Sequence, residues 1–244
     1  MQSNESSAAA TVAAEPARLW TRPFLQVCTG GFLSYASQTP INPLIALWVL
    51  HLGGSATTVG LATAAFNAPS FMVRPLVGRL CDTWSARGVF AIGCLISGAG
   101  SLVILIPNLA AVFVAQALNG VGWGGINTGG YMLVAEIAPV SRRGAASSYY
   151  QMARNSLGFY LPYVAIKLKA LAGFWLPFLL TSIAGLLAAP LVAGIPERKR
   201  TKAPPRESAE PAVRENFFDK FFDQFSLILI FFSNSFFINN SFLI

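Results

Sequence analysis

The sequence predicts an all-α membrane protein whose body is a bundle of six transmembrane helices. Three observations predict it. No Lys, Arg, Asp or Glu occurs from Phe24 to Val73, and none from Val89 to Ala135. Charged residues make up 11% of the chain, against about 25% in an ordinary soluble domain, which leaves too few to solvate a water-facing surface. The basic residues fall in clusters that alternate with apolar runs. About 20 apolar residues at ~1.5 Å rise cross a ~30 Å hydrocarbon core, so runs of this length read as membrane spans.

Taken in order, the residues before the first span, 1–21, are polar and Ala/Ser-rich. They lack the basic start and short apolar core of a cleaved signal, and read as a disordered cytoplasmic lead-in. The six-span unit covers residues 22–196, with spans near 24–50, 57–77, 89–106, 109–135, 145–166 and 172–194. The first two are joined by "HLGGSATT", the third and fourth by a Pro-led "PNLA" turn, and the last two by "KLKALAG". Such short connections make neighbouring helices antiparallel. Prolines interrupt three spans: Pro40 and Pro43 the first, Pro69 and Pro75 the second, Pro162 the fifth.

Residues 197–215, "ERKRTKAPPRESAEPAVRE", are charged and Pro-rich and read as a cytoplasmic linker. Residues 216–244 change character abruptly: they are Phe- and Asn-rich and contain no Ala, Gly or Pro. This anomalous tail is expected to be either a foreign ending on a truncated chain or a divergent, partial seventh span.

Basic residues sort by side. Thirteen collect on one: Arg18, Arg22, Arg74, Arg79, Arg87, Arg142, Arg143, Arg198, Lys199, Arg200, Lys202, Arg206 and Arg214. The opposite side holds Lys167 and Lys169. Cytoplasmic loops carry the Lys/Arg excess, so both ends of the six-span unit, and the N-terminus, are expected inside the cell, in a plasma or inner membrane. The same alternation argues against a nucleic-acid surface despite the net charge of +7. Three cysteines, one histidine (His51) and no metal-ligand spacing predict neither a disulfide framework nor a metal or cofactor. No Ser/His/Asp set and no phosphate loop suggests an enzyme.

The segment "RPLVGRLCDTWSARG" (74–88) is expected to form the cytoplasmic turn between spans two and three. Its Gly78–Arg–Leu–Cys–Asp82 and later Arg87–Gly88 resemble the loop that follows the second helix in the major facilitator superfamily of secondary transporters. "EIAPVSRRGAASSYY" resembles that family's exit from its fourth helix, at Glu136, Pro139, Arg142, Arg143 and Gly144. "QALNGVGWGG" resembles its Gly-spaced fourth helix, with Gln116 where arginine is common. The resemblance covers about residues 20–200. It implies one six-helix half of a twelve-helix fold, alternating access, and a gating role for Gly78, Asp82 and Arg87. It also implies a missing second half, supplied by another chain or by self-association.

Polar groups are expensive in hydrocarbon, so their spacing inside spans is informative. Gln116, Asn119, Trp123, Asn127 and Tyr131 share a face of span four; Ser34, Gln38 and Asn42 share one of span one; Thr63, Asn67, Ser70 and Arg74 share one of span two. Such stripes either hydrogen-bond helix to helix or line a substrate cavity. Arg154 lies eleven residues past Arg143, ~16 Å along a helix, near mid-membrane. Gln151, Arg154, Asn155 and Gly158 lie on one side of span five. The candidate cavity residues are therefore Gln38, Asn67, Gln116, Asn119, Asn127, Gln151, Arg154 and Asn155. Arg154 is the one expected to attract an anionic or strongly polar small molecule. The alternative to a transporter of this molecule, in either direction, is a truncated membrane fragment that transports nothing; a six-span channel is weaker still, because no filter-like repeat is visible.

Overall fold

In the computed structural model, residues 19–156, 158 and 160–196 are described. The expectations for residues 1–18, the linker at 197–215 and the tail at 216–244 lie outside them. Among the described residues the chain is helical, with α1 Arg22–Gln38, α2 Ile41–His51, α3 Ala56–Met72, α4 Arg74–Thr83, α5 Ala86–Val103, α6 Leu109–Ile137, α7 Arg143–Asn155, α8 Tyr160–Ala172 and α9 Trp175–Ala193. A 3₁₀ turn, Val140–Arg142, leads into α7.

Each proline-interrupted span is a pair of helices. Proline has no N–H to donate, and its ring collides with the carbonyl four residues back. Pro40 therefore ends the register of α1 and caps α2, which together make span one. Pro75 sits in the first turn of α4, two residues after the break at Val73 that divides span two. Pro162 lies in the first turn of α8, just past the break in span five. The uninterrupted helices α5, α6 and α9 are each long and apolar enough to cross a membrane alone.

Helix ends are closed by the expected chemistry. Ser55 and Thr58 form a reciprocal capping box at α3, each bond 3.3 Å long. Asn108 Oδ1 accepts the Ala110 amide at 2.9 Å to start α6, and Ser85 Oγ accepts the Gly88 amide at 3.0 Å to start α5. Such caps contribute about 1 kcal/mol each. Gly173, with φ of 76°, ends α8 in a conformation that disfavours other residues. Lys167 and Lys169 are thus in α8 rather than in the turn read from "KLKALAG".

The segment expected as a turn between spans two and three is largely helix. α4 runs through Thr83, and only Trp84 and Ser85 separate it from α5. The apolar run ends near Val77, which set the expected boundary, but burial continues on one face. Val77 and Cys81, four residues apart, are buried while Arg79 and Asp82 point outward. An amphipathic last stretch needs no further apolar run.

α6 packs against α5 on one side and α3 on another. Small residues permit this. A Cβ on Gly122 would lie 2.7 Å from the Gly93 carbonyl oxygen, and one on Gly93 would lie 2.8 Å from the Gly122 oxygen. The backbones of spans three and four are therefore in direct contact, as small-residue stripes allow in membranes. α9 completes the bundle against α5 and α1.

Two apolar clusters form along the bundle. One gathers Phe24, Phe90, Leu133, Tyr150, Val192 and Ile195. The other gathers Leu44, Trp48, Ile104, Val112 and Phe178. In four spans the buried polar residues fall in sequence between the two clusters: Ser34, Ser37 and Gln38 in span one, Ser97 and Ser101 in span three, Gln116 and Asn119 in span four, Thr181 and Ser182 in span six.

Candidate functional site

The buried polar residues of that middle layer are largely occupied by one another. Asn119 Oδ1 accepts from Gln38 Nε2 (3.0 Å), Ser97 Oγ (3.2 Å) and Ser101 Oγ (3.4 Å). Gln38 Nε2 also donates to Ser97 Oγ. Ser182 Oγ donates to the Gly98 carbonyl and Ser37 Oγ to the Thr181 carbonyl, both at 2.7 Å. Gln38 and Asn119 thus join spans one, three and four. Gln116 is buried separately: its Nε2 reaches the Ala62 carbonyl of span two at 3.4 Å, and its Oε1 has no partner. Asn119 Nδ2 is likewise buried without one.

A second group surrounds Arg154. It sits in the last turn of α7, where the partial negative charge of a helix C-terminus favours a cation. Its side chain is 3% exposed. Nη2 donates to Asn127 Oδ1 at 3.0 Å, and Asn127 Nδ2 in turn donates to the Trp123 carbonyl at 2.9 Å. Four aromatic rings enclose the guanidinium: Trp123 at 5.2 Å, Tyr35 and Tyr150 at 5.5 Å and Tyr131 at 5.7 Å from Cζ to ring centroid. The Tyr131 hydroxyl donates to Gln151 Oε1. Spans one, four and five all contribute.

Electrostatically this group is incomplete. Nε of Arg154 is buried with no hydrogen-bond partner, and among the described residues no carboxylate stands within ion-pair distance. A buried ion costs several kcal/mol unless it is paired and its donors are satisfied. The ring faces contribute about 0.5–2 kcal/mol apiece and one amide oxygen a little more, which offsets part of that cost. What remains is a buried positive charge, faced by four aromatic rings, whose Nε has no partner among the described residues.

Tyr150 fixes the floor of the site. It is fully buried, and its hydroxyl has no partner. Two glycines make room for it. A Cβ on Gly31 would fall 2.9 Å from Tyr150 Cζ, closer still to Cε2, and 3.0 Å from Arg154 Cγ. A Cβ on Gly130 would fall 3.2 Å from Tyr150 Cζ and closer to the hydroxyl.

The remaining candidates lie apart. Asn67 is exposed and donates to the Thr63 carbonyl of its own helix at 3.1 Å; Thr63 and Arg74 are exposed too, so most of the span-two stripe faces out of the bundle. Asn155 is exposed, and its carbonyl accepts the Gly158 amide at 2.9 Å across the span-five break. Gly78 and Asp82 are in α4, not in a loop, and Gly78 has open space around its α-carbon. Arg87 Nη1 donates to the Ile195 carbonyl just past α9 at 2.7 Å, tying the start of span three to the end of span six.

Sequence reasoning passed over Tyr35 and Tyr150, which read as ordinary core aromatics, and over Ser97, Ser101 and Ser182. A search for amides and charges at helical spacing does not find them. The glycines facing Tyr150 were a usable signal only once the helices were in place.

A bundle of apolar helices, three of them each long and apolar enough to cross a bilayer, defines a multi-pass membrane protein. Residues 27–244 match the Major Facilitator Superfamily, and the chain belongs to that family. It is similar to MFS transporter L2 of Phoma sp., 25% identical over 139 residues, covering 57% of this chain and 23% of that protein. It is also similar to the quinolone resistance protein NorA of Staphylococcus aureus, 23% identical over 158 residues, covering 64% of this chain and 40% of that protein. Among solved structures it resembles a mutant of the peptide transporter POT in complex with alafosfalin, with a TM-score of 0.59, 24% identity, and coverage of 70% of this chain and 37% of that one. The same transporter in complex with sulfate matches equally well, with a TM-score of 0.59 and 23% identity. The chain therefore has the fold of a major facilitator half, and it spans about a quarter to two-fifths of the length of these relatives.

Proposed function

We propose that this chain forms one six-helix half of a secondary transporter that moves a small anionic molecule across the cell membrane by alternating access. One observation carries the reading: Arg154 is buried at the end of α7, where span five breaks, and among the described residues it has no ion-pair partner and its Nε no hydrogen bond. Intramembrane charges of this kind mark substrate pathways, and broken helices border transporter sites near the midplane. The exposed stripe of Thr63, Asn67 and Arg74 supports a further part of the reading. Polar groups on the outside of a membrane bundle need protein or water against them, which a second six-helix unit would supply from a partner chain or a second copy. The N-terminus lies on the cytoplasmic side, on the strength of the Lys/Arg alternation.

The test is uptake or counterflow of labelled small carboxylates and phosphates in vesicles containing the chain, compared with Arg154→Ala and Arg154→Lys at equal membrane levels. Arg154→Ala is expected to abolish transport of the accepted anion, and Arg154→Lys to weaken it, because lysine keeps the charge but loses the planar fork. Transport that is unchanged in both variants would remove Arg154 from the mechanism. A chain that transports nothing until a second six-helix unit is co-expressed fits its length relative to its relatives.

A further inference from the structure

We infer that the Arg154 site selects anions carrying a flat aromatic body, with Tyr35 and Trp123 reading the body and Arg154 the charge. This rests on the anion reading above and narrows it. Burial is graded across the site. Arg154 is 3% exposed, while Trp123 of span four and Tyr35 of span one are each partly exposed. Tyr131, a third ring on the guanidinium, is 37% exposed, and Gln151 beside it is exposed too. The Tyr35 and Trp123 rings lie 5.9 Å apart, tilted by 42°, and both face the same charge.

Asn127 takes one N–H of Arg154 Nη2, and the Nε–H is buried without a partner among the described residues. A carboxylate can take that N–H together with a neighbouring one in a planar side-on pair. An aromatic carboxylate brings one charged end and a planar apolar remainder. It would stack against rings that otherwise lie open on the accessible side.

The experiment is equilibrium binding of radiolabelled benzoate and acetate to the purified full chain in detergent, with phenyltrimethylammonium as a cationic probe of the same ring. Benzoate is expected to bind about tenfold more tightly than acetate, the amount one or two ring contacts confer. Trp123→Leu should bring benzoate down to within about threefold of acetate, read as the ratio of the two affinities in the same variant. Arg154→Ala should weaken both by tenfold or more. If Trp123→Leu fails to give a monodisperse, cooperatively unfolding protein, Tyr35→Leu serves in its place. Equal affinity for the two anions, both dependent on Arg154, would overturn the aromatic preference and leave the anion site standing. Binding of either anion that is indifferent to Arg154→Ala would overturn the reading beneath it. Binding of phenyltrimethylammonium without benzoate would show the rings to be a cation box that Arg154 merely fills, and would overturn both.

Discussion

Replacing Gly31 with alanine should damage the Arg154 site from span one. Gly31 is in α1, and neither Tyr150 nor Arg154 is near it in sequence. Yet a methyl group there would stand 2.9 Å from Tyr150 Cζ and 3.0 Å from Arg154 Cγ, with Cε2 closer than either. The Tyr150 ring cannot slide away along its axis, because Gly130 of span four already receives its hydroxyl end at close contact. The ring must tilt, or span one must withdraw. Overpacking of this kind costs about 1–3 kcal/mol, or roughly 2–10 °C in unfolding temperature for a chain of this size. Because the Tyr150 and Arg154 side chains share the pocket at Gly31, loss of stability should come with loss of anion binding. The assay is thermal unfolding in detergent beside anion binding. Gly60→Ala, in α3 with open space around its α-carbon, is the control and should lose nothing. If Gly31→Ala matched Gly60→Ala in both measurements, the packing of Tyr150 and Arg154 against span one would be wrong.

Other perturbations give separate readouts. Gly120→Ala would set a methyl 3.0 Å from the Phe66 carbonyl carbon and closer to its oxygen; backbone yields less than side chain, so about 3 kcal/mol and a sharp fall in folded yield are expected, checked by fluorescence-detected size exclusion. Asn119→Ala removes the acceptor shared by Gln38, Ser97 and Ser101, and should lower the unfolding temperature by an amount equivalent to about 1–3 kcal/mol; an unchanged temperature would mean the three donors find other partners. Arg87→Ala loses the 2.7 Å bond to the Ile195 carbonyl and should destabilise the bundle by about 1 kcal/mol, with Arg87→Lys recovering part of it; proteolysis rates near residue 195 would report the loosened end.

Much of the fold was legible because membrane burial leaves a coarse signature. Charge-free runs marked the spans, and Pro40, Pro75 and Pro162 marked breaks where spans one, two and five divide, whereas Pro43 and Pro69, also read as interruptions, lie inside α2 and α3 without dividing them. α4 was the exception: its last turns follow an amphipathic pattern, so an apolar count stops short of Thr83. The site was only half legible. Arg154 stood out because charge inside a span is costly, and Asn127 because it shared a stripe. Gln38 and Asn119 belonged to equally good stripes, but they close on each other and on serines of span three. Periodicity reports which face is polar, and cannot say whether that face meets a neighbour or a cavity. Tyr35 and Tyr150 carried no mark at all, because a wall of a site and a piece of core have the same sequence appearance.

The depth of Arg154 and the sidedness of the bundle both rest on the order of membrane crossings. The most direct test places single cysteines at Asp82 and at Gly53, in the turn between spans one and two, and labels them with an impermeant thiol reagent in sealed vesicles of each orientation. The native Cys28, Cys81 and Cys94 are buried, which keeps background labelling low. Position 82 should react only from the cytoplasmic face and position 53 only from the opposite one. Reaction of both from the same face, or in the reverse order, would contradict the six-span arrangement or its orientation, and the mid-membrane placement of Arg154 with it.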